Sequence, residues 1–397
     1  MEKRIFGILV AIMVLSMFMF GFAKSGQAAE IKELKLGLNV PLSGPATDWG
    51  ITSQHAAEFL RQKIEEQGYL KVGKDRYKLV VVPYDSKYVA ADALANARRH
   101  TYEDKIKFQW ILGGGVTPTC QAITEKERVI CLAASYGGIK VTNPDRPYTF
   151  RTIIGSDLAC PVAFPYMAKK YPEIKKIAFI GPNDDCGFVS IKDGKAAAQA
   201  VGWETVGEEV TERTLVDYLP VMTRLLKGKP DLIHAACSPT DQVGLATKAA
   251  RELGFEGYVF ADATKDPDKV IEIAGAKYAE KVFFVNCIAE LINPGVADLD
   301  ARTKRTYNRG IMYGVIEYHA SMQAWAQAIQ KAGTLDTDAV VKVLETGTFD
   351  TVYGPVTFGA KKLFGIKRQV LHPIPLGIVK GGKLAHLELM PIPAELK

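Results

Sequence analysis

Short apolar runs alternate with amphipathic stretches along most of the chain. The runs at 34–40 and 77–82 are each as long as one buried strand, and the stretch between them places Ala56, Leu60 and Ile64 on one helical stripe. Uninterrupted apolar strands separated by such helices are typical of a parallel sheet that is covered on both faces. The first 140 residues after the N-terminal segment are therefore predicted to follow the order β-α-β-α-β-α-β.

A second series of the same kind follows a proline-containing extended segment at 143–152. Its apolar runs again predict strands separated by helices, and these strands fall at 176–180, 204–210, 231–236, 258–261 and 281–285. Helices then dominate from 299 to 346, and two strands at 374–379 and 383–389 follow. Because no flexible linker separates the two units, the pattern predicts α/β lobes joined by short extended crossings, which suits a hinge.

The N-terminal segment has the composition of a secretory signal. Lys3 and Arg4 precede an uncharged apolar run at 5–22, and small residues follow at 25–29. We expect a signal peptide at 1–29, cleaved near Ala28 or Ala29, and hence an exported, periplasmic protein. A retained membrane anchor is the alternative, because the run is about as long as a marginal spanning helix.

Composition narrows the classes of function. The chain has 397 residues and a formal charge of +6, with acids interspersed among the lysines and arginines, so nucleic acid is not an expected partner. Six cysteines show no CxxC spacing and six histidines are scattered, so we predict neither a metal site nor a cofactor.

The stretch at 110–138 carries the candidate chemistry. A predicted strand stops at three glycines, 113–115, and Thr117-Pro118-Thr119 resembles a helix start with Thr117 as the N-cap. The next predicted strand stops at Ser135. Free backbone N–H groups and hydroxyls at two such loops suit a carboxylate, although ordinary turns use the same residues.

Motifs in a particular order support a closer interpretation. They are LGLNVPLSGPATDWG, RPYTFRT, IGPNDDCG, KAARELGF and YGPVTF, and together they cover nearly the whole chain after the signal segment. The chain resembles the periplasmic leucine/isoleucine/valine-binding proteins, the type I solute receptors of ABC transporters. The resemblance implies an α/β fold of two lobes, each a parallel sheet flanked by helices, with three crossover hinge segments near 151–156, 286–291 and 369–373. It places 30–153 and 290–370 in the first lobe, and 154–289 and 371–397 in the second.

The resemblance also implies a ligand site between the lobes. The ligand carboxylate would be held by first-lobe groups, namely Thr117, Thr119, Ala133, Ala134 and Ser135, with Thr119 able to replace Thr117. Asp262 at the end of a second-lobe strand would hold an amine. The pocket wall would comprise Trp49, Tyr136, Cys186, Ser238 and Tyr313. Two of these positions, Cys186 and Ser238, are often aromatic in the family, which leaves the branched-chain amino acid assignment open.

The sequence thus favours a monomeric, non-enzymatic binding protein that captures an amino acid and delivers it to the membrane subunits of an ABC permease. The glycine triplet lacks dinucleotide-loop spacing, and no nucleophile elbow or P-loop is present. An aromatic acid or amide as ligand, or a sensory role at a membrane receptor, remain the alternatives. Cys160–Cys186 is a candidate disulfide at the cleft-facing edge of the second sheet, with free buried thiols as the alternative.

Overall fold

A computed structural model describes residues 30–44, 46–136, 138–264, 266–287, 294–312 and 314–397. The predicted signal peptide at 1–29, the predicted pocket residue Tyr313 and most of the predicted crossing at 286–291 lie outside these residues. Within them, the strands form one nine-stranded and one seven-stranded sheet. We call the two halves of the molecule built on these sheets lobe 1 and lobe 2, respectively.

The strands and helices alternate along the described residues much as the apolar pattern predicts. The strands are β1 Ile31–Val40, β2 Leu70–Val72, β3 Asp75–Asp85, β4 Phe108–Leu112, β5 Ile130–Ala134, β6 Thr149–Arg151, β7 Lys176–Pro182, β8 Glu204–Thr211, β9 Leu232–Ala235, β10 Tyr258–Ala261, β11 Val282–Val285, β12 Thr348–Thr351, β13 Gly354–Gly359, β14 Gln369–Leu371, β15 Ile374–Lys380 and β16 Lys383–Met390. The α-helices are α1 Thr47–Glu66, α2 Ala90–Arg98, α3 Thr117–Thr124, α4 Ser156–Lys170, α5 Asp185–Ala200, α6 Leu219–Leu225, α7 Thr240–Glu252, α8 Pro267–Ala274, α9 Pro294–Tyr307, α10 Gly314–Ala332, α11 Thr337–Thr346 and α12 Lys361–Phe364.

Each sheet is parallel at its centre and antiparallel towards an edge. Lobe 1 has the strand order β12-β13-β14-β6-β5-β4-β1-β3-β2, and lobe 2 has the order β16-β15-β11-β10-β9-β7-β8. In lobe 1 the run β6-β5-β4-β1-β3 is parallel, and in lobe 2 the run β11-β10-β9-β7-β8 is parallel. Parallel strands end at the same edge, so the loops after them gather in one place, which is where α/β proteins bind ligands.

The cores of both lobes lie where helices cover these sheets. Every residue of β4 and β5 is buried, as expected for central strands covered on both faces. In lobe 1, Trp110 and Trp325 are fully buried, and α1 packs along α10. Among the described residues, no helix combines the length and apolarity that a membrane span requires.

The chain passes between the lobes three times, after β6, after β11 and after β14. Side-chain hydrogen bonds connect these passages to one another. The Gln369 Nε2 donates to the Ile153 carbonyl at 2.9 Å, and the Asn286 Nδ2 donates to the Ile154 carbonyl at 3.3 Å. Parallel extended segments that are hydrogen-bonded to one another can bend together while each lobe stays rigid, which is the geometry of a hinge.

The predicted fold class is confirmed, with local differences. The sequence did not predict β2, which pairs with β3 in a hairpin turned at Gly73, a residue with a φ of +58°. The helix between β8 and β9 is short: α6 starts only at Leu219, with Pro220 in its first turn. Proline is favoured at that position because its missing N–H has no partner there anyway.

Buried histidines should make the fold sensitive to acid. Burial lowers the pKa of His55, His100 and His319 to about 4 each. The unfolded chain then binds more protons between pH 6.5 and 4, so stability falls as the pH falls through that window. Each histidine should cost about 2 kcal/mol between pH 7 and pH 5. Asp48 and Asp193, whose pKa values burial raises to about 6, act in the opposite direction.

We therefore expect a net loss of unfolding free energy from pH 7 to pH 5, measured by denaturant titration at each pH. The His319→Gln variant should show a shallower dependence than the wild type, because one of the three contributions is gone. Equal slopes for the two proteins would contradict the assignment of this effect to buried neutral histidine.

Candidate functional site

A small cavity lies where the strand ends of the two lobes face each other. Lobe 1 and the first crossing contribute Trp49, Tyr88, Leu112, Gly113, Gly114, Ala134, Tyr136, Ile153 and Tyr318, and lobe 2 contributes Cys186, Cys237 and Ala263. The residues come from the helices α1, α5 and α10, from the last residues of β4 and β5, and from the loops after β3, β4, β5, β6, β9 and β10. The cavity is therefore built from the strand-end loops that the topology brings together.

Two aromatic side chains form the lobe 1 wall of the cavity. Trp49 is 5% exposed, and its ring meets the ring of Tyr88 edge to face with centroids 5.9 Å apart. The Trp49 Nε1 and the Tyr88 hydroxyl are buried without a hydrogen-bond partner among the described residues. The Gly114 N–H points toward the Tyr88 oxygen without reaching hydrogen-bond geometry. Burial raises the pKa of Tyr88 to about 12, so its hydroxyl keeps its proton near neutral pH.

Arg213 of lobe 2 reaches across the cleft to this wall. Its guanidinium carbon lies 5.3 Å from the Trp49 ring centre and 4.8 Å from that of Tyr88. Cation–π contacts of this kind strengthen when they are removed from water, and the Arg213 side chain is only 8% exposed. Its Nη1 has no hydrogen-bond partner among the described residues. A buried guanidinium with an unused donor therefore lies against the two aromatic residues that line the cavity.

Asp184 holds Arg213 in place. The Arg213 Nε donates to the Asp184 carboxylate at 2.6 Å, and the Nη2 donates to it at 3.2 Å. The same carboxylate caps α5, accepting from the backbone N–H groups of Cys186 at 3.0 Å and Gly187 at 3.1 Å. Because α5 fixes Asp184 and Asp184 fixes Arg213, the guanidinium is positioned by a helix terminus rather than by a free loop.

A disulfide joins Cys186 to Cys237 at the lobe 2 side of the cavity. The two Cα atoms are 5.8 Å apart, an ordinary separation for a disulfide. The predicted Cys160–Cys186 pairing is therefore wrong. Cys160 lies within α4 and, like Cys120 and Cys131, is a buried free thiol.

The predicted carboxylate-binding residues differ in whether they line the cavity. Ala134 lines the cavity, whereas Ala133 on the other sheet face packs with Val116 and Cys120. Thr117 is not the N-cap, which is Val116. The Thr117 hydroxyl donates to the Gly113 carbonyl at 2.7 Å within its own turn. The remaining two lie outside the cavity lining: Thr119 is half-buried on α3 and Ser135 is buried.

Asp262, the predicted amine partner, turns its carboxylate into lobe 2. The carboxylate accepts from the Ser190 hydroxyl and from the Cys237 N–H, the latter at 2.8 Å, and lies 3.2 Å from the His234 Nε2. It is fully buried, and the next residue, Ala263, lines the cavity instead. These internal donors explain why the side chain points away from the cleft.

The other predicted wall residues also divide into two groups. Trp49, Tyr136 and Cys186 line the cavity. The Tyr136 hydroxyl crosses between the lobes and donates to the Asp262 carbonyl at 2.5 Å. Ser238 is buried beside the cavity and donates to the Ala236 carbonyl at 3.3 Å, so it does not contribute to the lining.

One group of potential metal ligands occurs in the described residues. Cys160, His234 and Asp262 place their ligand-type atoms within 4.8 Å of one another. Burial raises the pKa of the Cys160 thiol well above its ordinary value, so the sulfur keeps its proton, whereas metal ligation requires the thiolate. Because Asp262 also accepts from Ser190 and Cys237, we interpret this group as a hydrogen-bonded polar cluster beneath the cleft.

A wider groove lies at the rim of the cleft, with an open volume of about 1330 Å³. Polar contacts between the lobes cross it: the Thr240 hydroxyl donates to the Asp48 carboxylate at 2.7 Å, and Arg309 pairs with Asp266. These charged groups already have partners, whereas the inner cavity holds buried donors without any. The inner cavity is therefore the candidate site.

Sequence reasoning missed Tyr88 and Arg213, the two residues that face each other across the cavity. Tyr88 follows β3 by three residues and Arg213 follows β8 by two. The strand-end rule that singled out Ser135 and Asp262 applies equally to both. An aromatic and an arginine just past parallel strands were therefore a usable signal.

Two lobes, three crossings and a cavity at the facing strand ends define a two-lobed solute-binding protein. The chain belongs to the periplasmic binding protein family, whose model matches residues 33–383. This confirms the resemblance seen in the sequence. The family and the fold are those of solute-binding proteins rather than enzymes.

Relatives and structures similar to this chain bind different solutes. The leucine-, isoleucine-, valine-, threonine- and alanine-binding protein of Pseudomonas aeruginosa is 23% identical over 350 residues, which cover 87% of this chain and 90% of that protein. The LivJ protein of Streptococcus pneumoniae in complex with isoleucine has a TM-score of 0.75 at 17% identity, covering 91% of this chain and 100% of that one. A solute-binding protein of Rhodopseudomonas palustris in complex with benzoate has a TM-score of 0.76 at 17% identity, covering 91% and 98%. At such identities the structures establish the shared fold alone.

Proposed function

We propose that the protein captures a small carboxylate between its lobes and delivers it to the membrane subunits of an ABC permease. One observation carries the proposal: three buried donors at or beside one cavity have no partner among the described residues. They are the Trp49 Nε1 and the Tyr88 hydroxyl, whose residues line the cavity, and the Arg213 Nη1, whose guanidinium packs on those two rings. A buried hydrogen-bond donor without a partner raises the free energy of the folded protein, and a charged donor raises it most. A carboxylate supplies acceptors for such donors, and the guanidinium, which already pairs with Asp184, keeps one nitrogen for it.

The proposal couples binding to closure. Trp49 and Tyr88 belong to lobe 1 and Arg213 to lobe 2, so a carboxylate among them bridges the lobes. A ligand shifts an equilibrium only by its differential affinity for the two states, and the full set of donors exists only in the closed form. The closed form would then be the one that a permease recognises. Family membership supports this role.

A ligand screen tests the chemical class. Thermal-shift assays over aromatic acids, aliphatic acids, amino acids, amides, amines and sugars should find stabilising compounds among those with a carboxylate. The physical reason is that amides, amines and sugars cannot pair with the buried guanidinium as an anion does. A sugar or an amine as the tightest binder would contradict the proposal.

Closure is tested separately by scattering. Small-angle X-ray profiles at saturating ligand should show a smaller radius of gyration than profiles of the free protein. The reason is that the bridging groups come from both lobes and the chain crosses between them three times. Identical profiles with a ligand that calorimetry shows to be bound would argue against a closing cleft.

A further inference from the structure

The polar groups around the cavity are of two kinds. The groups without a partner can donate a hydrogen bond, and the carboxylates near the cavity already accept hydrogen bonds from the protein. From this we infer that the ligand is a monocarboxylate with an apolar remainder and no ammonium group, for example an aromatic or branched aliphatic acid. The inference rests on the proposed function and makes it more specific. It departs from the amino-acid ligand that the sequence favours.

The acidic side chains near the cavity already have partners. Asp184 accepts from Arg213 and from two backbone N–H groups of α5. Asp48 accepts from the Thr240 hydroxyl at 2.7 Å and from its own neighbour, the Trp49 N–H, at 2.9 Å. Asp262 accepts from Ser190 and the Cys237 N–H. Among the described residues that line the cavity there is no acidic side chain at all.

An ammonium group in this cavity would therefore find no carboxylate to pair with, because no acid lines the cavity and the nearby Asp184 is already engaged by Arg213. Like charges in a buried site repel, and an unpaired buried cation loses its hydration without compensation. The carboxylate end of the same ligand is favoured, because Arg213 offers a planar donor with one nitrogen still unpaired. The site thus discriminates against an amine by the absence of a free carboxylate, and specificity of this kind is common in binding sites.

The rest of the cavity suits an apolar body. Its lining away from Arg213 is made of aliphatic groups and ring faces, supplied by Leu112, Ala134, Ile153, Ala263 and Tyr318. The sulfur atoms of the Cys186–Cys237 disulfide close the lobe 2 side. Sulfur packs favourably against aromatic rings, so this wall accepts a ring as readily as a branched chain. Sites for small ligands usually combine such walls with a few placed polar groups.

Matched ligand pairs test the inference on the full exported protein. Each pair shares a carbon skeleton and differs by the α-ammonium group: 4-methylpentanoate with leucine, and 3-phenylpropanoate with phenylalanine. Benzoate extends the series to a shorter acid. Calorimetry should give at least one acid that binds on the order of a hundredfold more tightly than its amino-acid partner, because the ammonium would be buried without an acceptor. Binding of that acid should be lost in Arg213→Gln.

The outcomes separate this inference from the proposed function. If leucine or phenylalanine binds as tightly as its deaminated partner and binding still requires Arg213, the carboxylate receptor stands and the inference of an amine-free ligand falls. If no acid and no amino acid in the series binds, the inference falls as well. If the bound solute has no carboxylate, both fall.

Discussion

Replacing Arg213 with alanine should remove most of the ligand affinity while leaving the protein folded. The side chain lies over the Trp49 and Tyr88 rings and is the charged donor at the cavity. Truncating one partner of a buried charge pair typically costs roughly 2–5 kcal/mol, which is about 30-fold to several thousand-fold in the dissociation constant. Calorimetry with the best carboxylate from the screen measures the loss directly.

Arg128 provides a matched control for this variant. It also lies near a tyrosine ring, at 5.5 Å from that of Tyr148, and also pairs with an aspartate, Asp338, but its side chain is 59% exposed. It precedes β5, at the opposite end of the lobe 1 sheet from the cleft. Arg128→Ala should therefore leave the ligand affinity unchanged. It should also leave the fold intact, because exposed ion pairs contribute little to stability. Similar affinity losses in both variants would show that the effect of Arg213→Ala is not specific to the cavity.

Removing the Cys186–Cys237 disulfide should lower stability by about 4 kcal/mol in the double Cys186→Ala/Cys237→Ala variant. The bond closes a loop with a sequence separation of 51 residues, and the entropy of closing such a loop in the unfolded chain sets this size. Denaturant unfolding of the oxidised wild type and the variant measures the difference. Peptide mapping without reduction should recover the two cysteines in one linked pair.

Cys120→Ala is the control for the disulfide variant, because this buried free thiol lies in α3 of lobe 1. It removes one sulfur without opening a covalent loop and should cost less than the double variant. A reducing agent should destabilise the wild type and leave the double variant unchanged. If reduction has no effect on the wild type, or if mapping links Cys160 to Cys186, the pairing in the structure is refuted.

The disulfide variant should also bind ligand more weakly, in the same calorimetric assay. Cys186 lies in the first turn of α5, next to the cap residue Asp184, and the Arg213 Nη2 lies 3.9 Å from the Cys237 sulfur. Without the disulfide, Asp184 and Arg213 are held less firmly. Binding must then fix the position of the Arg213 donor, and this loss of conformational entropy lowers the affinity. Unchanged affinity after disulfide loss would mean that Asp184 alone fixes the guanidinium.

Local patterns determined the α/β architecture, because hydrophobic periodicity and turn chemistry act over a few residues. The bounds of β10 at Tyr258–Ala261 agree with the sequence to the residue. The same patterns showed where strands end, and hence which loops share an edge. They were sufficient for the fold class and the family, and they predicted a site at the strand ends that includes Trp49, Tyr136 and Cys186.

The order of strands within each sheet was decided only by the tertiary structure, and the site depends on that order. β7 lies between β9 and β8, so the loops after these three strands are neighbours although they are far apart in sequence. That placement joins Cys186 to Cys237 rather than to Cys160, and it brings Arg213 against Asp184. No local pattern encodes which strands become neighbours, because that choice follows from the packing of whole helices on the sheet.

The direction of a side chain at a strand end is likewise a tertiary property. The sequence places Asp262 correctly after β10, but the carboxylate faces Ser190 and the Cys237 N–H, which fold into hydrogen-bonding distance from other segments. A buried carboxylate turns to where its donors are. The sequence by itself therefore determined a two-lobed receptor with a cleft at its strand ends. Tertiary packing alone decided that the cleft presents a guanidinium and two aromatic donors, with its carboxylates already engaged.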